Sequence, residues 1–201
     1  MKIKLIILLC AFVFNTAAQT KQEAKTIFGN GKPHIGYFIN PSFQVGNFAG
    51  STAIIPGIGA GVLFNNKLSA SILYKFTLTE NTPAGEPDQL YLHGQWFGLK
   101  AEYSIKPESV VHVSFPLEID AGEIEFDIKD SYENQAAAAP SGEAWFVNIE
   151  PGIAAEINLW KYLRLNLGAG YRFVSDIKFS NVSGSDMMGF TFSAGLKIGL
   201  F

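Results

Sequence analysis

From residue 34 onward the chain alternates between apolar residues and polar or small ones, with a period of two. This alternation is typical of β-strands whose two faces meet different surroundings. Eight such runs occur, and each has roughly the length that a tilted strand needs to cross a bilayer. The runs are 34–45, 54–64, 68–78, 94–104, 111–120, 145–157, 163–173 and 190–200.

The connections between the runs alternate in length. Tight turns are predicted at 65–66, 106–109 and 160–161. Longer polar connections follow at 80–89 and, longest of all, at Ala121–Gly142, whereas the link at 46–50 is short. Short turns at one end and longer loops at the other are typical of an outer-membrane meander. The sequence therefore predicts an all-β fold, an eight-stranded antiparallel up-and-down transmembrane β-barrel over residues 32–201.

The two faces of the runs indicate which side meets lipid. One face is continuously apolar, while the other carries nearly all the strand glycines together with Lys, Arg, Glu, Ser and Asn. Small and polar residues fit the narrow lumen of eight strands, and apolar residues fit lipid. His93 and Gln95 share the outward parity. Either that strand end projects above the bilayer, or a bulge at Gly94 shifts the register.

The amino terminus predicts export. Residues 1–18 have the form of a secretory signal peptide, with a positive start, the apolar stretch Leu5–Phe14 and small residues at Thr16-Ala17-Ala18. Residues 19–31 would then form a short N-terminal periplasmic segment. The single cysteine, Cys10, lies in the leader, so the mature chain is expected to have no thiol for disulfides or metal ligation.

Composition narrows the functional classes. Charged residues make up 16% of the chain, below the roughly 25% of soluble domains. The formal net charge of −3 gives no basic footprint for nucleic acid, so no nucleic-acid partner is expected. The three histidines form no cluster with metal-ligand spacing, and the acidic residues match no calcium motif; neither a metal nor a cofactor is predicted.

The leader, the eight runs and the final segment GFTFSAGLKIGLF, which ends at Phe201, resemble the small outer-membrane barrels of the OmpA and OmpX type. The segment EPGIAAEINLWKYLRLNLGAGYRF is similar in style to outer-membrane barrel proteins of Bacteroidetes. The resemblance implies a monomer in the bacterial outer membrane, surrounded by its lipid and inserted by the barrel-assembly machinery. Phe201 departs from the usual register because it has inward parity.

The face predicted to point inward carries charges of both signs, as a buried network requires, because an unpaired charge in a filled barrel would be costly. A salt-bridged plug is favoured over a catalytic pair, and Glu156 and Arg164 on adjacent strands are expected to pair. Eight strands leave no open channel. The predicted interior charges are Lys67, Lys75, Lys100, Glu102, Glu118, Asp120, Glu150, Glu156, Arg164, Arg172 and Lys197.

One motif has catalytic spacing. His112-Val113-Ser114 matches the His-x-Ser pair of outer-membrane lipid deacylases, and a Ser–His couple suits acyl transfer. However, alternation turns both side chains inward, away from the lipid substrate, so the pair is a minor alternative.

The functional prediction is a non-enzymatic outer-membrane scaffold that presents surface loops and serves envelope integrity or surface interaction. Loops on a rigid scaffold are where binding occurs, and Ala121–Gly142 is the best candidate for an extracellular ligand. Two alternatives stay open: an acyl hydrolase that modifies lipid A, centred on His112 and Ser114, and an exported soluble barrel that binds a small apolar ligand.

Overall fold

The computed structural model describes residues 34–129 and 142–201. In this part of the chain, eight long strands form a closed antiparallel barrel in the order β1-β10-β7-β6-β5-β4-β3-β2. The strands are β1 (Ile35–Phe48), β2 (Ser51–Phe64), β3 (Leu68–Phe76), β4 (Leu90–Ile105), β5 (Val111–Ile128), β6 (Glu143–Trp160), β7 (Leu163–Val174) and β10 (Gly189–Leu200). Two short strands, β8 (Lys178–Phe179) and β9 (Val182–Ser183), pair only with each other.

The predicted all-β, eight-stranded up-and-down barrel is confirmed. Consecutive barrel strands pair with each other, and β1 closes the sheet against β10. The predicted signal peptide and the periplasmic segment 19–31 lie outside the described residues. Within 34–129 and 142–201, no helix is long and apolar enough to span a membrane.

Alternation places side chains as the sequence pattern predicts over most of each strand. On β5, Val111, Val113 and Phe115 are exposed on the outside, whereas His112 and Ser114 are buried inside. Because successive side chains on a strand point to opposite faces, one strand supplies both the apolar exterior and the polar interior. The same division holds around the barrel, where more than thirty large apolar side chains of the described residues are exposed.

Turns at the two ends of the barrel differ as predicted. At the end called here the turn end, Asn65 and Asn66 adopt positive φ angles of 51° and 60°, as a tight hairpin requires. Lys67 also lies in this turn, where its backbone N–H donates to the carbonyl of Phe64 and its side chain is exposed. The prediction that Lys67 points into the barrel is therefore wrong, because β3 begins one residue later.

The opposite end, called the loop end, differs from the predictions at two connections. β1 and β2 continue to a two-residue turn at Ala49-Gly50, whose φ angles are 56° and 71°. β5 extends to Ile128 and β6 begins at Glu143. The predicted connection Ala121–Gly142 is therefore too long, since its first eight residues belong to β5.

The register near Gly94 decides between the two explanations for His93 and Gln95. β4 pairs with β5 without interruption from Leu90, opposite Ile128, to Ile105, opposite Val113. A bulge at Gly94 is therefore excluded, and the strand end projects with its polar side chains outward.

The lumen at the loop end is filled by apolar side chains rather than by charges. Trp96 packs against Phe48 and Phe146, with ring centroids 6.1 and 5.8 Å apart. The connection between β7 and β10 covers this group from above through buried Ile177, Val182 and Met187. We call this group the apolar plug: Phe48, Ala49, Ala53, Ile55, Leu90, Leu92, Trp96, Ile124, Phe126, Phe146, Val174, Ile177, Val182 and Met187.

The connections at the loop end are tied to one another. Glu86, in the connection between β3 and β4, accepts hydrogen bonds from Ser180 Oγ at 2.6 Å and Asn181 Nδ2 at 2.9 Å. Asn81 in the same connection donates to the carbonyl oxygens of Phe48 and Thr52 at 3.2 and 3.1 Å. These bonds join three connections into one cap above the apolar plug.

Candidate functional site: the charge network inside the barrel

Below the apolar plug, ionisable side chains fill the lumen in three groups. The middle group is centred on Glu118 of β5, which lies between two lysines. Its Oε1 is 3.1 Å from Nζ of Lys100, and its Oε2 pairs with Nζ of Lys75. Lys75 also lies 3.7 Å from Oδ2 of Asp120. Two cations therefore face two carboxylates at mid-barrel.

The second group is centred on Arg172 of β7 and joins the charges to the plug. Its Nε is 3.1 Å from Oε2 of Glu150, and its Nη2 donates to Gln44. Thr191 donates to the other Glu150 oxygen at 2.7 Å. The guanidinium carbon lies 5.4 Å from the ring centroid of Trp96, a cation–π contact. Arg172 is therefore held by side chains from three other strands, β1, β4 and β6.

The third group lies toward the turn end. Lys197 of β10 pairs with both Glu102 and Glu156. The second oxygen of Glu156, Oε2, is 2.9 Å from Nε2 of His112, and Asn166 Nδ2 donates to Oε1 at 3.3 Å. All five side chains are buried. Glu156 is thus the shared acceptor of this group.

The predicted Glu156–Arg164 pair is wrong. Across the β6–β7 pairing Glu156 faces Asn166, whereas Arg164 faces Asn158 two residues further down. Instead, the guanidinium of Arg164 lies 4.0 Å from the ring centroid of Phe201. The ring of the terminal phenylalanine thus lies against a buried cation at the turn end, as the inward parity of this residue suggests.

The structure brings ten of the predicted interior charges into the lumen, and only Lys67 lies outside it. Five are cations and five are carboxylates, so the interior is balanced if all are ionised. A low-dielectric interior tolerates charge only when it is paired and hydrogen-bonded. Equal numbers of cations and carboxylates therefore allow the barrel to enclose these side chains without a net charge in its interior. The cations are Lys75, Lys100, Arg164, Arg172 and Lys197, and the carboxylates are Glu102, Glu118, Asp120, Glu150 and Glu156.

The His-x-Ser pair lies in the same interior. His112 is 4% exposed and Ser114 is fully buried. The Nδ1 atom of His112 lies 3.3 Å from the Ser109 carbonyl oxygen, so both ring nitrogens have partners other than Ser114. Ser114 Oγ has no hydrogen-bond partner among the described residues. The geometry gives no nucleophile–base contact and no route from lipid to the hydroxyl.

The voids inside the network are small. Two interior cavities, both lined by Gln44 and Glu118 among others, have volumes of ≈ 20 and ≈ 30 Å³. A cavity of about 10–15 Å³ is needed for each water, so each void has room for about one or two waters. Among residues 34–129 and 142–201, no three His, Cys, Asp or Glu side chains are placed to hold a metal ion.

The sequence pattern did not reveal the apolar plug, although a signal for it exists. On the upper part of β5, Ile124, Phe126 and Ile128 keep the inward parity of Glu118 and Asp120. The alternation is therefore in phase, but its chemistry is inverted: apolar inside and acidic outside. An inverted alternation next to a lipid-type alternation indicates a strand that rises out of the bilayer into water.

No family model matches the chain, and no curated protein has a significantly similar sequence. Neisserial surface protein A (NspA) matches with a TM-score of 0.55 at 14% identity, over 84% of this chain and 99% of the other. The chain has the fold of the small outer-membrane β-barrels. Ail of Yersinia pestis covers 84% and 97% with a TM-score of 0.46 at 12% identity.

OprG of Pseudomonas aeruginosa, an outer membrane protein, gives a TM-score of 0.45 at 11% identity, over 84% and 95% of the two chains. At these identities the likeness concerns the fold. The sheet of this chain is closed and its exterior is apolar. A β-sheet that spans a bilayer needs both features, so these observations agree with the outer-membrane barrel fold. The predicted outer-membrane localisation is supported by this agreement.

Proposed function

We propose that the chain is a non-enzymatic outer-membrane barrel that holds surface loops on a rigid scaffold and serves envelope integrity or surface interaction. The observation that carries the proposal is the filled interior. The charge network occupies the middle and the turn end, and the apolar plug occupies the loop end. A barrel filled in this way offers neither a channel nor a reachable nucleophile, so its loop end is the surface left for function.

The two longest strands of the barrel, β5 and β6, are joined by one connection. β5 and β6 have 18 residues each, more than any other strand in the described part of the chain. The connection 129–142 joins the upper ends of these two strands. We place the contact with an extracellular ligand there. A monomeric state, surrounding outer-membrane lipid and insertion by the barrel-assembly machinery belong to the same proposal.

The two alternative functions have weaker support. A lipid A acyl hydrolase needs a serine that touches its base and meets lipid, whereas Ser114 is buried inside the barrel without a partner among the described residues. An exported soluble barrel would leave the exterior apolar band in water, although soluble proteins rarely expose apolar patches beyond a few hundred Å².

The first test is a gel of isolated outer membranes with and without boiling. A closed lipid-facing barrel is expected to resist SDS until it is heated, and a boiling-dependent shift in this fraction supports the proposal. Recovery in the soluble periplasmic fraction without a shift contradicts it. In parallel, the mass of lipid A is compared between cells with the wild-type protein and with Ser114→Ala. A mass difference would replace the scaffold with the acyl hydrolase.

Surface function is tested by replacing residues 130–141 with a Gly-Ser linker of equal length. We expect the barrel to keep its boiling-dependent shift while sensitivity to detergents or attachment to surfaces changes in the cells. The matched control is a substitution in a turn at the opposite end, Lys67→Ala. The proposal fails if complete deletion of the protein changes neither property.

A further inference from the structure

The polar and apolar parts of the exterior meet along a sharp boundary on β4, β5 and β6. Phe97 on β4 faces Ala121 on β5, and both are exposed on the outside. One step higher on the same face, Gln95 pairs with Glu123, and Glu123 also faces Trp145 of β6. A change from apolar to charged residues within one step marks the level at which the surface leaves the hydrocarbon.

A cleft of ≈ 170 Å³ lies on this boundary. Its lining combines the small side chain of Ala121 with the large side chains of Tyr74, Phe97 and Trp145. The upper rim is polar. Tyr74 Oη donates to Gln95 Oε1 at 2.9 Å, and Gln95 Nε2 donates to Glu123 Oε1 at 2.6 Å.

This relay orients the Glu123 carboxylate and leaves its second oxygen without a partner among the described residues. Trp145 beside it is 65% exposed, so its ring is available for contact. A half-buried carboxylate next to aromatic rings is the combination that recognises an ammonium group, through a charge-assisted hydrogen bond and a cation–π contact.

The surrounding charge also favours a cation. Glu125 and Asp127 of β5 and Glu143 of β6 lie on the same outer face above the cleft. None of these three, nor Glu123, forms an ion pair within the described part of the chain. This contrasts with the balanced interior. Because these carboxylates have no cationic partner among the described residues, we expect a ligand that binds at this level to carry a positive charge.

We propose that the cleft binds a membrane lipid through an ammonium-bearing headgroup, with Glu123 accepting from the ammonium and Trp145 packing against it. The acyl chains of this lipid then lie against Phe97 and Val147 below the boundary, where the exterior is apolar. The inference rests on the proposed insertion of the barrel into a membrane. The proposed lipid site lies on the outer face of the barrel and is separate from the charge network and from the loops.

The test uses phosphatidylethanolamine and phosphatidylglycerol, which share the phosphate and differ in the ammonium. The barrel is reconstituted as the Trp160→Phe variant, so that Trp145 is the exposed tryptophan and Trp96 is buried. Vesicles contain equal amounts of the two lipids, with brominated acyl chains on one or on the other. Bromine quenches a tryptophan that its lipid contacts.

We expect brominated phosphatidylethanolamine to quench Trp145 with about threefold preference or more, the effect of one cation–π contact of about 0.5–1 kcal/mol supplemented by the carboxylate. Glu123→Gln should abolish the preference while keeping the shape of the side chain. Ala121→Leu should abolish it by filling the cleft. The matched control, Glu125→Gln, removes the same charge two residues away on the same face and should retain the preference.

Three outcomes would overturn the inference: equal quenching by both lipids in the parent protein, an unchanged preference in Glu123→Gln, or a preference that disappears with EDTA and returns with Ca²⁺. The last outcome would assign the carboxylate to a divalent cation bridging lipid phosphates. A boiling-dependent gel shift is recorded for every variant. Absence of the shift in the parent protein contradicts the proposed membrane barrel itself, whereas a normal shift without lipid preference contradicts only the cleft.

Discussion

Glu156 is fully buried near the turn end, where its two carboxylate oxygens serve Lys197, His112 and Asn166. Lys197 in turn depends on Glu156 and Glu102 for its compensation. The cost of losing one member of such a group is dominated by the charges left behind, because they remain in a low-dielectric interior without a partner. Substituting a charged residue inside the barrel is therefore expected to lower the free energy of unfolding more than substituting a charged residue in a turn.

We expect Glu156→Gln to lower the free energy of unfolding by about 3–5 kcal/mol, the effect of removing one partner from a buried ion pair. The measurement is urea-induced unfolding in lipid vesicles, followed by tryptophan fluorescence. Lys67→Ala is the control, since this lysine is exposed in a turn and its replacement should change the free energy by less than about 0.5 kcal/mol. Equal effects of the two substitutions would refute the role given to Glu156.

β5 shows how one strand passes through two environments. Its lower part carries Phe115 and Ile119 outside and Glu118 inside, which suits lipid around a charged lumen. Its upper part carries Glu125 outside and Phe126 inside, which suits water around an apolar lumen. The backbone alternation is unbroken, and only the surroundings change. We therefore expect the upper part of β5 to lie in water above the bilayer.

We expect cysteine labelling to resolve this change along β5. The only cysteine of the chain, Cys10, lies in the predicted leader, so an introduced cysteine should be the sole thiol of the mature barrel. A membrane-impermeant maleimide should label Glu125→Cys in intact cells. Ile119→Cys is the matched control, since it has the same outward parity and faces lipid, and it should stay unlabelled. Labelling of both positions, or of neither, would place the bilayer boundary elsewhere.

The same strand shows what sequence alone can and cannot predict. Strand number, antiparallel order and the faces of Val111 to Asp120 follow from alternation, because a lipid exterior and a filled lumen leave opposite chemical signatures. For Ala121–Ile128 the sequence predicts a loop, because acidic residues occupy the outward positions that apolar residues occupy in the lower part of the strand. Partners inside the lumen could not be predicted either: Glu156 pairs with Lys197 across the intervening strand β7, because the curvature of the sheet turns both side chains toward each other in the lumen.

The cap at the loop end is held by hydrogen bonds whose contribution to local stability is testable. Glu86→Ala removes the acceptor that ties the β3–β4 connection to Ser180 and Asn181. We expect amide hydrogen exchange in residues 175–188 to become several-fold faster, while the barrel strands keep their protection, because local opening is independent of global unfolding. Glu80→Ala is the control, because this exposed carboxylate of the same connection has no side-chain hydrogen bond to another described residue. No acceleration in Glu86→Ala would show that packing alone holds the cap.

At the scale of the whole molecule, the barrel is a sealed body with two chemically distinct fillings. The charge network and the apolar plug meet where Arg172 lies over Trp96, 5.4 Å from its ring centroid. Two interior voids beneath have volumes of ≈ 20 and ≈ 30 Å³, and each has room for about one or two waters. The two fillings support each other, since the plug excludes water from the upper charges.

We expect the intact barrel to show no stable conductance in planar lipid bilayers. The double variant Trp96→Ala with Arg172→Ala removes bulk from both fillings at their junction and should conduct measurably if it still gives the boiling-dependent gel shift. The single variant Trp96→Ala is the control: it opens the plug but leaves the charge network in place, so its conductance should stay at the wild-type level. Discrete conductance steps in the wild-type protein would contradict the sealed interior and would replace the scaffold with a channel, because side chains that fill an eight-stranded barrel leave no open path for ions.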